Sequence, residues 1–517
     1  MSRKTKLELT WVGKENRPRL EPRVLIDVPE LSHTGEVGIM DNLLVQGDNL
    51  LALKALESEY AGRVKCVFID PPYNTGSAFE HYDDGLEHSI WLSMMRDRLE
   101  VIRNLLSPDG SLWVTLDDNE AHYFKVMADE VFGRGNFVAN VVWQKRTSPE
   151  ARLRLGAAHD SVLVIAKDIS KVELNLLPVS EETKTKATNK DDDYRGPWSS
   201  SDFTAQGWRP NQMYKITTPG GAVYEPPPGR CWGNIEPEYR KLLADNRLWF
   251  GVDGKARPRV KTFLLESEGR ASWTWWPNSE VGHNQEAKKE QIELSGEEST
   301  FDTPKPERLL QRIVTLATNP GDLVLDSFAG SGTTGAVAHK MGRRWIMVEI
   351  GDHAQTHIVP RLRKVIDGLD AGGVTAATNW QGGGGFRFCR LAPSLITRDK
   401  WGREVISAAY DGPLLAQALC KIKGFRYSPS ETDWWVQGKS SDTDFLHVTT
   451  QTLSFDQLAE LSELVGEGRT LLILCAAWRG DEKGFPNLTV SKIPDDVLKQ
   501  CDFGREDYGL PITGDAQ

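Results

Sequence analysis

The chain has little of what marks an exported, membrane-embedded or metal-bound protein. Its 517 residues hold only six cysteines, at positions 66, 231, 389, 420, 475 and 501, with no C-x-x-C pair and no histidine at metal-ligand spacing. That scatter argues against a disulfide framework and reads as reduced thiols in a cytoplasmic protein. The ten histidines contain no H-E-x-x-H, so no metal is expected. No apolar run approaches the ~20 residues that cross a bilayer, so no membrane partner is expected. The basic start Met1-Ser2-Arg3-Lys4-Thr5-Lys6 is not followed by an apolar segment, and no signal peptide is expected there. Positive charge is also short: 62 Lys and Arg against 73 Asp and Glu leave a net charge of −11, which excludes a wholly basic nucleic-acid coat. There is no internal repeat, and no G-x-x-x-x-G-K-[ST] loop of a helicase-type motor.

What is present is an ordinary globular composition, 39% apolar and 26% charged, at a length that suits two or three domains. Residues 1–40 are polar and broken by Pro18, Pro22 and Pro29, which predicts an extended arm with no core of its own. Hydrophobic periodicity then predicts a strand over 43–45, a helix over 49–59 and a buried strand over 64–69. Trp91, Leu92, Met95, Leu99, Ile102 and Leu106 recur at helical spacing up to Pro108-Asp109-Gly110, and strands follow over 111–116, 137–143 and 161–166. Such alternation implies an α/β fold with a mostly parallel sheet. Between about 169 and 300 the pattern stops: 181–193 reads as a polar, solvated loop, and the rest is rich in Pro, Gly and Trp. The α/β signal resumes with Thr303 as a helix cap, helices over 307–317, 335–341 and 352–369, and strands over 323–328 and 345–350. Gly382 to Gly385, four glycines in a row, read as a hinge before a last region with a helix over 455–464 and a strand over 470–475.

Two motifs hold the chemistry. In the first, Leu325-Asp326-Ser327-Phe328-Ala329-Gly330-Ser331-Gly332-Thr333-Thr334-Gly335, a strand runs into a glycine-rich turn that opens a helix. Its glycines admit a ligand close to the backbone, and the helix start offers unpaired N–H groups. Gly330, Gly332 and Gly335 satisfy G-x-G-x-x-G, and Glu349 ends the next strand where an acid can hold a ribose. Alone, this motif suits a dinucleotide, S-adenosylmethionine (SAM) or no ligand at all. The second motif, Asp70-Pro71-Pro72-Tyr73, follows the strand over 64–69 directly. Two prolines end the ladder and turn the chain out at the sheet's carboxyl edge, where α/β ligand sites lie. An exocyclic base amine is a poor nucleophile because its lone pair is delocalised into the ring. A carboxylate and a stiffly held carbonyl that accept its two N–H groups would orient and localise that lone pair, and an adjacent aromatic ring could stack on the base. A proline turn with a surface tyrosine is the plain alternative.

Together, Asp70-Pro71-Pro72-Tyr73 and Phe328-Ala329-Gly330-Ser331-Gly332-Thr333-Thr334 resemble the signatures of SAM-dependent amino-group DNA methyltransferases. Their order resembles the beta class, and Asp70-Pro71-Pro72-Tyr73-Asn74-Thr75-Gly76 resembles the modification subunits of type III restriction systems. The resemblance covers about 43–168 and 303–369. It implies a Rossmann-like, circularly permuted methyltransferase sheet with an inserted target-recognition domain and a C-terminal α/β domain. The expected parts are an arm (1–40), a catalytic half (41–168), the insertion (169–302), a SAM-binding half (303–380) and a C-terminal domain for dimerisation or partner binding (386–517). It further implies that Asp70 and Pro71 accept the amine hydrogens, with Pro72 and Tyr73 completing the catalytic motif. SAM would be held by Asp326, Phe328, Gly330, Ser331, Gly332, Thr333, Thr334 and Glu349. Asp48 resembles the family's acid near the SAM adenine, though it also reads as a helix cap. Lys305 resembles the segment that flanks the cofactor and reads equally as a solvated lysine. Leu112 to Asp118 with Asn119-Glu120 resembles the family's strand that ends in a D-D-N-E run and equally suits an exposed acidic turn.

The insertion supports a DNA partner independently. From 195 to 276 there are twelve Lys and Arg against eight Asp and Glu, a positive surplus of four in an acidic chain. Seven tryptophans, Trp198, Trp208, Trp232, Trp249, Trp273, Trp275 and Trp276, share the window with Lys255, Arg257, Arg259 and Lys261. Basic groups among aromatics suit a groove-reading surface on double-stranded DNA. A small domain with a tryptophan core and a Lys/Arg skin is the other reading. The function expected is an adenine-N6 DNA methyltransferase that flips its target base, working as a homodimer with a separate restriction subunit or alone. Cytosine-N4 methylation shares the layout, although serine is the commoner first residue there. A guanine-amine RNA methyltransferase would place the glycine turn ahead of the tetrapeptide. A nicotinamide dehydrogenase would leave Asp70 to Tyr73 without a use.

Overall fold

The computed structural model describes residues 8–508 apart from 35–41, 75–77, 80–81, 84–87, 149–153, 180, 296–300, 302, 481–483, 494, 496 and 499. The described chain forms two compact units, one made of residues up to Leu174 together with those from Trp273 onward, the other of Asn175–Ser272.

The larger unit holds the main sheet and, in its C-terminal region, a second sheet of its own. In chain order the main sheet's strands are β1 (Leu25–Asp27), β2 (Leu43–Gln46), β3 (Val64–Ile69), β4 (Leu106–Leu116), β5 (Phe137–Gln144) and β6 (His159–Ala166). The second unit contributes β7 (Trp198–Asp202), β8 (Leu248–Trp249) and β9 (Arg259–Phe263), paired among themselves. The chain then returns to the sheet with β10 (Trp275–Trp276), β11 (Leu323–Asp326), β12 (Arg344–Glu349) and β13 (Gly385–Leu391). Spatial order is β1-β13-β2-β12-β11-β3-β4-β6-β5-β10. From β13 to β4 neighbouring strands run parallel, whereas β6 is antiparallel to both β4 and β5. The central step is β11 beside β3, with Val324 opposite Cys66 and Leu325 opposite Val67. One sheet is thus assembled from two distant stretches, and its carboxyl edge receives both sequence motifs.

Local chemistry explains the elements. The helix α1 (Asn49–Tyr60) is capped by Asp48, whose Oδ1 accepts the Leu51 N–H at 3.0 Å. It packs with α2 (His88–Leu105), which packs in turn with α3 (Ala121–Phe132). Their apolar faces join alternate strand residues, Val67 and Ile69 of β3 and Leu112 and Val114 of β4, in one buried core. Full burial of each such side chain contributes ~1.5–3 kcal/mol. A second group, α4 (Glu307–Ala317), α5 (Thr333–Lys340) and α6 (Val359–Ile366), packs helix on helix, with α4 also against β3 and β4. The first residue of α4 is Glu307 and its cap position is Pro306, so Thr303 does not cap it as its sequence position suggests.

Three further expectations are corrected. Gly382 to Gly385 are not a hinge between domains, because Gly385 begins β13, which joins the same sheet between β1 and β2, parallel to β2. The residues that precede β2 are not a free arm: β1 pairs with β13, and Arg23 is buried in an ion pair with Glu21 at 2.9 Å. Val24 shares a core with Leu395, Leu419 and Leu446 of the C-terminal region. That region carries α7 (Gly412–Lys423), β14 (Asp444–Val448), α8 (Phe455–Val465), β15 (Thr470–Cys475) and β16 (Leu488–Lys492), with β15 parallel to both neighbours. Finally, the segment read as a solvated loop forms a short helix, Glu181–Lys186, and its Asp193 is buried. Among the described residues no helix is long and apolar enough to cross a membrane.

Candidate active site

The turn after β3 is held from several sides. Asp70 Oδ1 accepts the Tyr73 hydroxyl at 3.0 Å and the Thr115 hydroxyl of β4 at 2.5 Å. Its Oδ2 is paired with the Lys305 ammonium. The Pro72 carbonyl accepts the buried Trp91 indole N–H at 2.7 Å, which fixes the proline turn on α2. Two cations approach the Tyr73 ring, Lys145 at 5.6 Å and Lys305 at 5.4 Å from its centroid. Its hydroxyl also reaches Asp160 Oδ2 at 3.2 Å, and the other Asp160 oxygen is bonded to Lys145. Burial, together with Asp160 and Asp70, keeps the phenol well above its ordinary pKa, so it remains a donor at neutral pH. Past the motif the backbone enters the left-handed region at Asn74 (φ 55°), whose amide donates to Glu120 at 2.9 Å. Glu120, buried, also binds His88 Nδ1 at 2.6 Å, and Asp117 from the same run lines the cavity.

The glycine turn is ordered by two acids. Asp326 accepts the Phe328 N–H at 2.9 Å and the Thr334 hydroxyl at 2.5 Å. Complete burial pushes its carboxyl up to about 7. Glu349 accepts the Gly330 N–H at 2.8 Å and the Gly351 N–H at 3.1 Å. Gly332, at φ 75°, adopts a backbone that side chains rarely reach, and a Cβ there would sit 2.8 Å from Ile358.

Both motifs open onto one cavity of about 380 Å³, within the ~300–1,000 Å³ of small-molecule sites. Asp70, Pro71, Pro72, Tyr73, Lys305, Asp326, Phe328, Gly330, Ser331, Thr333 and Thr334 all line it. Asp48 does not: its carboxylate is spent on the α1 cap, on Arg98 at 3.2 Å and on the Tyr508 N–H at 3.0 Å. Gly332 and Glu349 support the turn without lining the cavity. Sequence reasoning missed Thr115, Lys145 and Asp160, polar residues on or beside β4, β5 and β6 that belong to no motif.

The basic stretch of the second unit divides. Arg257 lies over the Tyr224 ring at 5.4 Å, and Arg259 is exposed and bonded back to Ser200 at 2.9 Å. Lys255 is exposed, whereas Lys261 is 2% exposed and paired with Asp191 and Asp193 beneath Trp198. Lys261 is therefore a core cation, which corrects its assignment to a DNA-facing surface. Trp198 and Trp232 are buried too, Trp208 is 70% exposed, and Trp273, Trp275 and Trp276 belong to the larger unit.

A carboxylate bonded at a proline turn, an aromatic ring and a glycine-rich helix start thus line one cavity. The chain belongs to the DNA methylase family, whose sequence model it matches over residues 64–359. It is 36% identical over 372 residues to the type III restriction-modification enzyme StyLTI Mod subunit of Salmonella typhimurium, covering 63% of this chain and 55% of that protein. Against the "Probable type III restriction-modification enzyme HindVI Mod subunit" of Haemophilus influenzae the identity is 31% over 460 residues, covering 75% of this chain and 59% of that protein. It is also 24% identical over 308 residues to the DNA adenine methyltransferase YhdJ of Escherichia coli, covering 59% of this chain and 78% of that protein. The chain spans less than two thirds of the length of these two Mod subunits.

Proposed function

We propose that this chain is a site-specific adenine-N6 DNA methyltransferase, the modification component of a type III restriction-modification system. The observation that supports this reading above others is the cavity shared by Asp70 to Tyr73 and the Phe328 to Thr334 turn. SAM suits it: the cavity is of small-molecule size, and Gly330, Ser331, Thr333 and Thr334 of the glycine turn line it. When bound, SAM would supply an electrophilic methyl group on a sulfonium. Phe328, Gly330, Ser331, Thr333 and Thr334 would hold it, with Asp326, Gly332 and Glu349 shaping the turn around it.

On the acceptor side, Tyr73 would stack on an adenine flipped from the duplex, an unstacking cost of a few kcal/mol offset by pocket contacts. Asp70 and the Pro71 carbonyl would accept the N6 hydrogens, orienting the nitrogen lone pair toward the methyl group. Lys305, paired with Asp70, would keep a cation beside that carboxylate. A nicotinamide dehydrogenase gives Asp70 to Tyr73 no task, and their position on the same cavity as the glycine turn counts against it.

The partners follow from the same reading: double-stranded DNA met by Lys255, Arg257 and Arg259 of the second unit, a second copy of the chain, and a separate restriction subunit in the cytoplasm. The test is methyl transfer from labelled SAM to DNA by the purified chain, with the product nucleoside identified after digestion. N6-methyladenine is expected; N4-methylcytosine would reassign the target base, and no transfer would overturn the proposal.

A further inference from the structure

A single phenolic proton faces two carboxylates. The Tyr73 hydroxyl lies 3.0 Å from Asp70 Oδ1 and 3.2 Å from Asp160 Oδ2. It has one proton to give, so only one of the two bonds is complete at a time. Asp70 is crowded: Tyr73 and Thr115 share one oxygen and Lys305 occupies the other. A carboxylate offers about four lone-pair directions, and an incoming base amine competes for the few that remain. Asp160 is differently placed. It is 2% exposed on β6, its Oδ1 is neutralised by Lys145, and its Oδ2 faces the tyrosine across the same cavity.

We infer that Asp160 is a positioning residue that takes over the Tyr73 hydroxyl when a base amine docks on Asp70, freeing an acceptor site without moving the ring. The exchange needs only rotation about the phenol C–O bond, because the Asp160 oxygen is already within hydrogen-bond distance. Lys145 has two tasks in this arrangement: it offsets the charge of a buried carboxylate, and it lies over the tyrosine ring. With Asp160 replaced by an apolar residue, the Tyr73 proton has Asp70 as its remaining carboxylate partner and competes there with the substrate. The role rests on the proposed methyl transfer to a base amine.

The test compares the full chain with Asp160→Leu, which removes the acceptor, and Asp160→Asn, which keeps a carbonyl acceptor and loses the charge. Each is made in the wild-type and Tyr73→Phe backgrounds, with SAM binding as the check on folding. Asp160→Leu is expected to lower kcat about tenfold or more with the KM for SAM unchanged, and Asp160→Asn to recover most of that loss. In Tyr73→Phe, Asp160→Leu is expected to cost nothing further, because the hydroxyl it serves is gone. A loss that persists in Tyr73→Phe, or equal damage from Asn and Leu, overturns the role. In chains labelled with [13Cζ]tyrosine, the Tyr73 resonance, identified by its absence from Tyr73→Phe, is expected to move on Asp160→Leu. An unmoved resonance overturns this role alone, while a wild-type chain that methylates no DNA overturns the proposed function and this role with it.

Discussion

Glu307 and Arg361 form a buried ion pair at 2.8 Å, and the same guanidinium donates to the Thr333 hydroxyl at 2.9 Å and the Ser331 carbonyl at 3.2 Å. Glu307 also pairs with Lys340 at 2.8 Å and accepts the Val374 N–H at 2.9 Å. Burial alone would raise this carboxyl; Arg361 and Lys340 reverse that and hold it below its ordinary value. Two residues earlier in the chain, Lys305 is paired with Asp70. One short segment therefore braces both the Asp70 carboxylate and the glycine turn.

Glu307→Ala leaves the buried Arg361 without its carboxylate and Lys340 with Asp370 alone, a change that costs ~3–5 kcal/mol. Denaturant unfolding of the full chain checks the figure. Arg361→Met releases the turn and is expected to raise the Kd for SAM more than it lowers stability, read by titration calorimetry beside the unfolding curve.

Asp70→Ala is expected to reduce methyl transfer to DNA by ~10²-fold or more while SAM still binds, because in the proposed reaction the carboxylate would hold the acceptor amine, whereas its described bonds go to Tyr73, Thr115 and Lys305 rather than to the glycine turn. Transfer assays and SAM titrations on the same preparation check it. Full transfer by a SAM-binding Asp70→Ala chain would remove Asp70 from the chemistry.

Asp326 makes stability depend on pH in a defined window. Burial raises its folded pKa to about 7, above the ~3.9 of an unfolded aspartate. In that interval the folded chain keeps a proton that the unfolded chain has lost. The associated stability is complete below about pH 4 and is lost as pH rises through about 7. Asp326→Asn cannot titrate, so its unfolding free energy is expected to fall less steeply than that of the wild type between those limits, measured by urea unfolding at a series of pH values.

The parts of the fold legible in the sequence are those where one residue type decides the geometry. The run from Val64 to Ile69 is apolar apart from Lys65 because β3 is a buried strand between two parallel neighbours, and Pro71 and Pro72 can only end it. Glycines at 330 and 332 announce the turn because their backbone angles, 52° and 75°, favour glycine. Thr115 and Asp160 were illegible because their importance lies in register: β4 and β6 run side by side, and each delivers one polar side chain to the end of β3. The strand β13 was misread because a glycine run at its start resembles a linker, while its pairing partner, β2, lies more than three hundred residues earlier. Lys261 was misassigned because counting charges ignores facing. Along β9 it shares the buried side with Phe263, while Thr262 faces the other way and Arg259, on the same side, is exposed at the start of the strand.

That facing gives opposite outcomes for two neighbouring basic residues of the second unit. Lys261 is paired with Asp191 and Asp193 and sits 5.4 Å from the Trp198 ring centroid, so Lys261→Ala takes the cation from Asp191, while Asp193 keeps Arg195 and Trp198 keeps Lys190. The expected effect is a loss of ~3–5 kcal/mol in stability, seen in thermal melting whether or not DNA is present. Arg257 is exposed, and its described ring contact is a cation–π pair with Tyr224 worth ~0.5–1 kcal/mol at such a site. Arg257→Ala should therefore melt almost as the wild type does. If Arg257 meets a phosphate, the variant also binds DNA more weakly across sequences, and the slope of log K against log salt falls by about one unit. An unchanged slope in Arg257→Ala, measured by fluorescence anisotropy on a labelled duplex, would move the DNA-binding surface away from this residue.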